Sequence, residues 1–164
     1  MKPLNLRPAS NSDLNVIDQL CQLSWHNQKQ WVGYPRVQHL EELQGVVNEF
    51  DNQFHHCIMV IELEGQIVGF TGLLYKEGDH EAHIVGPVLL EKYHTIAFYK
   101  IVIEEVVSKC LNTFETVHIE VALINKILLK AIDENKWTTA TISPSNMSIE
   151  TQTFSLNLER ALTL

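Results

Sequence analysis

Four side chains that can accept or donate a proton fall on two strand-like stretches of this 164-residue chain. Glu81 and His83 alternate on one stretch, and His118 and Glu120 alternate on the next. Side chains two residues apart share one face of a strand, so each pair lies on a single face. A carboxylate or imidazole held beside a substrate amine is what general-base catalysis requires. A solvated sheet face is the alternative explanation, and we favour it because exposed Glu and His are ordinary on strands.

An aromatic segment between the first two predicted helices is a second candidate site. Trp25, Trp31 and Tyr34 lie there in sequence rich in Gln and Asn, which Gly33 and Pro35 interrupt. Aromatic side chains on irregular backbone are suited to contacting a bound acceptor molecule. A hydrophobic lid over the sheet explains the same residues equally well.

Charge and cysteine content exclude several other classes of function. Lys and Arg total 12 against 20 for Asp and Glu, a net charge of −8, and no basic cluster is present. This balance disfavours nucleic-acid binding, which depends on neutralising phosphates. The three cysteines, Cys21, Cys57 and Cys110, are widely separated and lie in apolar patterns. They are predicted to be buried, reduced thiols, so we expect neither a metal site nor a disulfide framework.

Length and hydropathy indicate one domain over residues 1–164. The chain contains no apolar run close to the ~18 residues that span a bilayer, so no membrane segment is predicted. The first residues lack a secretory apolar stretch, and a cytoplasmic location is therefore expected.

Hydrophobic periodicity predicts the element order βααβββαβαββ. Strand-like stretches cover Leu4–Arg7, Phe54–Leu63, Gln66–Tyr75, His80–Leu89, Val117–Ala122, Trp137–Ile142 and Thr151–Leu158. Helical spacing covers the residues after Asp13, Leu40–Phe50, Ile96–Cys110 and Asn125–Asn135. A three-strand meander followed by a helical crossover requires a parallel strand pair. The expected fold is therefore α+β, with a mixed central sheet of about six to seven strands and helices on both faces.

The predicted helix that starts near Thr95 points its N-terminus toward the ends of the parallel strand pair. Unpaired N–H groups and the positive end of the helix dipole make such positions suited to binding anions. Asn125 is placed either to contact a ligand or to cap its own helix.

Element order and three local patterns resemble the GNAT superfamily of N-acetyltransferases over nearly the whole chain. The patterns are Leu6-Arg7-Pro8-Ala9 followed by Asp13-Leu14, Gly65–Gly69 with Gly86-Pro87-Val88, and Asn125–Leu128 running to Asn135-Lys136-Trp137. The resemblance implies acetyl transfer from acetyl-CoA to the primary amine of a small molecule or peptide. An acidic protein is suited to a cationic amine.

The resemblance also implies positions for the co-substrate and the base. Acetyl-CoA is expected to lie along the third meander strand, with its pyrophosphate at the start of the following helix. The implied contacts are Val88, Leu89, Leu90, His94, Thr95, Ile96, Ala97, Phe98, Tyr99 and Asn125. The implied candidates for the base are Glu81, His83 and Glu120.

The helix-start sequence departs from the family pattern, which reads Gln or Arg, two residues, Gly, one residue, then Gly or Ala. Here the aligned stretch is His94–Tyr99, in which Ala97 and Tyr99 are expected to obstruct a close approach of phosphate to the backbone. The helical spacing of Tyr99 with Ile96 and Ile103 predicts instead that Tyr99 is a core residue. The tyrosine that protonates the leaving thiolate in many members is replaced by Ala131 or Ile132.

Two functions are therefore open: an acetyl-CoA-dependent acyltransferase, or a catalytically degenerate GNAT-like domain for ligand sensing or protein interaction. A weaker third possibility is a paired GNAT arrangement, in which this chain is a degenerate copy that supports an active copy through a dimer interface. The last predicted strand, Thr151–Leu158, is apolar at alternate positions and would leave an exposed edge, which predicts a homodimer.

Overall fold

The structure is a computed structural model that describes residues 4–27, 45–49, 52–76, 78, 80–110, 112–135, 138–142 and 151–156. The strands are β1 (Asn5–Pro8), β2 (Gly45–Glu49), β3 (Asn52–Leu63), β4 (Gln66–Tyr75), β5 (Glu81–Leu89), β6 (Thr116–Ala122), β7 (Thr138–Ile142) and β8 (Thr151–Leu156). The helices are α1 (Leu14–Asn27), α2 (Ile96–Cys110) and α3 (Lys126–Asn135).

The strands form one mixed sheet in the order β1-β3-β4-β5-β6-β8-β7, and β2 also pairs with β3. Strands β3, β4 and β5 form the predicted antiparallel meander. Its first turn places Glu64 and Gly65 at positive φ, where glycine at the second position avoids the steric penalty. β5 and β6 are parallel, as the helical crossover between them requires. The α+β class and the mixed sheet are thus confirmed.

Residues 45–49 form a strand where the sequence analysis expected the end of a helix. β2 pairs antiparallel with the first part of β3, from Gly45 opposite His56 to Glu49 opposite Asn52. The helical spacing of the apolar residues also fits a short strand, and the β-branched pair Val46-Val47 favours one when a neighbouring strand is available. The sheet therefore has eight strands among the described residues rather than six or seven.

Helices cover both faces of the sheet, as expected. Along β3, Ile58 and Val60 pack toward Ile17 of α1, whereas Met59 and Ile61 belong to the cluster that contains α2 and α3. This alternation is the two-residue period of a strand with both faces buried. The α2 and α3 side holds the larger of the two apolar clusters in the described part of the chain.

A β-bulge in β5 changes the direction of this strand. Phe70 lies opposite Val88 and Gly72 opposite Val85, so β5 has two residues, Gly86 and Pro87, where β4 has only Thr71. Gly86 has a φ of 80°, which disfavours any side chain there. Thr71 is fully buried, and its hydroxyl donates a hydrogen bond of 3.1 Å to the Val85 carbonyl. The hydroxyl thus satisfies a carbonyl at the irregular position.

An ion pair joins β1 to the start of α1 and accounts for the first sequence pattern. The two terminal nitrogens of the Arg7 guanidinium, Nη1 and Nη2, contact the Asp13 carboxylate at 2.7 and 2.9 Å. The third nitrogen, Nε, contacts Glu62 of β3. Asp13 is buried and accepts the Ser10 backbone N–H at 2.8 Å. Hydrogen bonds from Arg7 and Ser10 hold the pKa of this carboxyl well below its usual range.

The last strand is not an edge strand, so the reason given for a homodimer is wrong. β8 pairs with β6 on one side and with β7 on the other. A chain segment that follows a strand in sequence need not occupy the next position in the sheet, and here β8 lies between two earlier strands. A homodimer remains a prediction without this support.

The prediction of three buried thiols also needs correction. Cys110 is buried and Cys21 is half-buried, but Cys57 is exposed. Cys57 lies on β3 near the end of α2, where the covering helix stops.

Within the described ranges, none of the helices has the length and apolar character needed to cross a bilayer.

We predict that Thr71→Val destabilises the fold by about 1–3 kcal/mol, because the buried Val85 carbonyl loses its hydroxyl partner while side-chain volume is retained. Urea denaturation measures this loss. Thr113→Val, at an exposed position, is the matched control and is expected to change stability by no more than about 0.5 kcal/mol. Equal stability of the two variants would mean that the bulge does not need the hydroxyl.

Candidate active site

The parallel strands β5 and β6 separate near their carboxyl ends. Their pairing runs from Glu81 opposite Thr116 to Ile84 opposite Ile119 and then stops. β5 nevertheless continues to Leu89 and β6 to Ala122. We call this divergence beyond Ile84 and Ile119 the strand fork. Open sheets bind ligands at the carboxyl ends of strands where neighbours diverge.

Two helices begin at the carboxyl side of the strand fork. A 3-10 turn over Glu91–Tyr93 connects β5 to α2, and a short connection joins β6 to α3. Thr95 caps α2, since its hydroxyl accepts the Phe98 N–H at 3.2 Å. Thr95 and Ala97 are exposed, and Ile96 is half-buried. The N–H groups of Ile96 and Ala97, the first two of α2, lack acceptors within the helix and are suited to contacting an anion.

Tyr99 does not stand in front of this helix start. Its side chain is fully buried, and its phenolic oxygen accepts a hydrogen bond of 3.3 Å from the Asn125 amide. Burial raises the pKa of the phenol far above its usual value. The expectation that the ring of Tyr99 obstructs phosphate approach is therefore wrong, and its placement in the core is confirmed. The neighbouring Phe98 is half-buried, with its ring 5.0 Å from that of Tyr93.

Asn125 is the N-cap of α3. Its side-chain oxygen accepts the Leu128 N–H at 3.2 Å and lies 3.1 Å from Nε2 of His94. Only 4% of Asn125 is exposed. Of the two roles that the sequence left open, the structure therefore supports the cap. The bond to His94 links the starts of α2 and α3.

The end of β5 offers mainly backbone to a ligand. Val88 and Leu89 are buried on opposite faces of the sheet, in the α1 cluster and in the α2 and α3 cluster respectively. Leu90 is exposed, and its N–H donates to the Val68 carbonyl at 2.9 Å. At these three predicted contact positions, only the Leu90 side chain is accessible.

The four predicted acid-base residues share one face of the sheet, and we call Glu81, His83, His118 and Glu120 the polar row. The residues that alternate with them, such as Ile84 and Ile119, belong to the α2 and α3 cluster, so the polar row faces the α1 side. The rings of His83 and His118 stack with centroids 5.0 Å apart.

His118 is the best-anchored member of the polar row. Its side chain is buried, with Nδ1 2.9 Å from the Ser155 hydroxyl and Nε2 3.7 Å from the Glu81 carboxylate. Glu81 and His83 are exposed, as the solvated-face interpretation expects. His118 is one of the four residues of the predicted polar pairs but not one of the three implied bases, and no local pattern reveals its contact with Ser155, 37 residues away.

Glu120 is the member of the polar row at the strand fork. It is the first residue of β6 on that face after the pairing with β5 ends. Glu120 is half-buried, and burial raises the pKa of its carboxyl. A carboxyl whose pKa moves toward neutrality is better suited to accepting a proton at physiological pH.

The aromatic candidates are not tested by the structure. Trp25 lies in α1, but its side chain is outside the described residues, as are Trp31 and Tyr34 altogether. Ala131 and Ile132, at the expected position of a catalytic tyrosine, are both buried in α3. In the described ranges, no group of three or more His, Cys, Asp or Glu residues is arranged to hold a metal ion.

Solved structures match this arrangement over nearly the whole chain. Spermidine N-acetyltransferase from Vibrio cholerae, in complex with CoA and spermine, is 14% identical, with a TM-score of 0.69 over 97% of this chain and 98% of that one. Aminoglycoside acetyltransferase AAC(6')-Ib, in complex with coenzyme A, is 10% identical, with a TM-score of 0.69 over 98% of both chains. An acetyltransferase of the GNAT family from Streptococcus pneumoniae is 11% identical, with a TM-score of 0.62 over 94% of this chain and 100% of that one. This chain has the GNAT fold.

The similarity lies in structure rather than in sequence. No family model and no curated protein sequence matches the chain. The GNAT fold here retains the strand fork and the two helix starts beside it, although the residues at those starts depart from the family pattern. Backbone geometry, rather than a recognisable motif, carries the likeness.

We predict that Asn125→Ala lowers stability by about 1–3 kcal/mol, because α3 loses its cap and the Tyr99 hydroxyl loses a donor. Thermal and urea unfolding measure the loss. Asn125→Asp keeps the capping oxygen and is expected to retain more of the stability than Asn125→Ala. An unchanged melting temperature for Asn125→Ala would contradict the capping role.

Proposed function

We propose that this chain is an N-acyltransferase that moves an acetyl group from acetyl-CoA to the primary amine of a cationic small molecule or peptide. The observation that carries the proposal is the strand fork, with the starts of α2 and α3 at its carboxyl side. The fold shared with the acetyltransferases described above supports the same reaction class. A cytoplasmic location and a single domain over residues 1–164 remain predictions.

The residues at the strand fork fit a coenzyme A thioester. The first-turn N–H groups of α2, beside exposed Thr95 and Ala97, suit the pyrophosphate. The bulge at Gly86 and Pro87 interrupts the regular pairing of β5 where the thioester carbonyl would need an N–H donor. When bound, acetyl-CoA supplies the acetyl group as a thioester.

Glu120 is the base that this geometry favours. A cationic amine must lose a proton before its nitrogen can attack the thioester carbonyl, and the half-buried Glu120 carboxylate accepts that proton. The new C–N bond replaces the C–S bond, and the sulfur leaves as a thiolate that takes a proton from water or from a nearby donor. His118 is held by its contact with Ser155, and it in turn contacts the carboxylate of Glu81 at the exposed end of the polar row.

Charge supports a cationic acceptor. The chain has a net charge of −8, and the polar row carries two carboxylates on the face where an acceptor would approach the strand fork. One structural neighbour is a spermidine acetyltransferase and another an aminoglycoside acetyltransferase. Polyamines and aminoglycosides therefore form the first acceptor panel.

The contact between His94 and Asn125 favours a second candidate, a GNAT-like domain that binds ligands or partners without catalysis. This bond ties the two helix starts together at the position where a co-substrate would contact both. The buried Ala131 and Ile132 also supply no phenol for the leaving thiolate. In this second candidate, the fold is retained while the reaction is lost.

Calorimetric titration with acetyl-CoA and with desulfo-coenzyme A tests co-substrate binding in both candidates. We predict that both ligands bind, and that His94→Ala tightens binding by about threefold to tenfold because the ligand no longer competes with the contact between His94 and Asn125. Lys92→Ala, in the 3-10 turn that precedes His94, is the control, because it truncates a side chain in the same segment and leaves the contact between His94 and Asn125 in place. Absence of heat and of any thermal shift at millimolar ligand would exclude the co-substrate site.

We predict that Glu120→Gln lowers kcat about a hundredfold or more for amine acetylation, because the base is lost while size and shape are kept. The wild-type rate rises with pH as Glu120 loses its proton, and burial, which raises the pKa of this carboxyl, moves that rise to higher pH than for an exposed glutamate. The limb should disappear in Glu120→Gln.

Glu134→Gln, at an exposed position on α3, is the matched control and should keep both the rate and the pH profile. A Glu120→Gln enzyme with an unchanged acidic limb would assign the base to another residue of the polar row. Tight acetyl-CoA binding with no turnover on any amine of the panel would favour the non-catalytic candidate.

A further inference from the structure

A cavity with a volume of about 350 Å³ lies at the end of α2 that is opposite to the strand fork. Met59 and Leu73 line it from the central strands, and Phe114 lines it from the segment after α2. We call this cavity the distal pocket, and the remaining residues that line it are Cys57, Tyr75, Lys76, Gly78, Lys109 and Thr113. The volume is at the lower end of the ~300–1,000 Å³ that small-molecule sites occupy.

The walls of the distal pocket are apolar and well supported. Leu73 and Phe114 are buried parts of the α2 and α3 cluster, and the ring of Phe114 packs against Tyr75 with centroids 5.2 Å apart. Side chains of this kind bind a hydrocarbon or an aromatic ring, since burying them removes apolar surface from water.

Two lysines lie at the opening of the distal pocket. Lys109 is exposed in the last turn of α2, and the half-buried Lys76 follows β4. The nearby Cys110 carbonyl at the end of α2 already accepts the N–H groups of Thr113 and Phe114, at 3.0 and 2.9 Å. A carboxylate at the opening meets the ammonium group of Lys109, which also offsets the negative end of the α2 dipole. Positive charge is scarce on a chain with net charge −8.

We propose that the distal pocket binds a small monocarboxylate with an aliphatic or aromatic tail. The tail lies against Met59, Leu73 and Phe114, and the carboxylate faces Lys109. The apolar walls match the tail of such an amphiphile, and the ammonium group of Lys109 matches its carboxylate. A phosphate-rich ligand fits less well, because most of its surface is polar and the walls are not.

This site is separate from the proposed co-substrate site. α2 has 15 residues, which corresponds to a length of roughly 22 Å, and the two sites lie at its opposite ends. Occupation of the distal pocket is therefore expected to be independent of coenzyme A. Its test does not depend on the proposed acyltransferase activity.

Cys57 provides a reporter of occupancy. Its thiol is exposed at the pocket, whereas Cys110 is buried and Cys21 is half-buried. Partial burial raises the pKa of the Cys57 thiol, so its alkylation by iodoacetamide is slow. Peptide mass spectrometry can follow this reaction. A ligand in the distal pocket should slow that alkylation.

The experiment uses octanoate as the probe, with 1-octanol of equal chain length as the uncharged comparison. We expect octanoate to bind the full chain in calorimetry, about threefold to fivefold more tightly than 1-octanol, and to slow Cys57 alkylation with or without coenzyme A. Lys109→Glu should weaken octanoate about tenfold and leave 1-octanol nearly unchanged. Thr113→Trp, which places a bulky side chain at the opening, should weaken both ligands.

Lys130→Glu on α3 is the matched control, since it changes the net charge equally at an exposed site away from the pocket. Equal weakening of octanoate by Lys130→Glu and Lys109→Glu would overturn the proposal, because the effect would then reflect overall charge. Absence of octanoate binding at millimolar concentration, or binding that leaves Cys57 alkylation unchanged, would also overturn it. Circular dichroism establishes that each variant is folded.

Discussion

β5 carries one residue more than β4 between Val85 and Val88, and the geometry of the candidate site depends on that bulge. Gly69 of β4 lies against it, where any Cβ would overlap the Val88 carbonyl oxygen. The bulge bends the strand just where β5 stops pairing with β6. The start of α2 follows from the direction in which β5 ends. A local irregularity thus helps to set the positions of the strand fork and of the start of α2.

Local periodicity predicted most elements of the fold because their apolar residues follow one clear spacing. The bounds of α2, Ile96–Cys110, agree with the prediction to the residue, since its buried positions recur on one face. Residues 45–49 were assigned incorrectly because apolar spacing over so short a segment fits either a helix or a strand. The position of β8 between β6 and β7 depends on long-range pairing, which no local pattern encodes.

The candidate site was predictable by location more than by contact. The predicted helix start after β5 lies at the same edge of the sheet as the strand fork, and so does Glu120, whose role as a base stays a prediction. The interactions of Asn125 with His94 and Tyr99 join residues 31 and 26 positions apart, and they give Asn125 a structural role that residue type alone left open. Tyr99 was correctly placed in the core by its spacing, whereas alignment to the family pattern placed it in the phosphate turn.

The two faces of the sheet differ in how much apolar surface covers them, and this difference has a consequence for motion. In the described part of the chain, α2 and α3 pack over an extensive cluster, while Ile17 and Leu20 of α1 cover a much smaller one. Fewer buried contacts mean a lower free energy of local opening. Amide hydrogen exchange should therefore be faster in α1 than in α2. Among the described residues, the α1 side, where the polar row lies, is thus the more adaptable face of the sheet, and the side of α2 and α3 is the more rigid one.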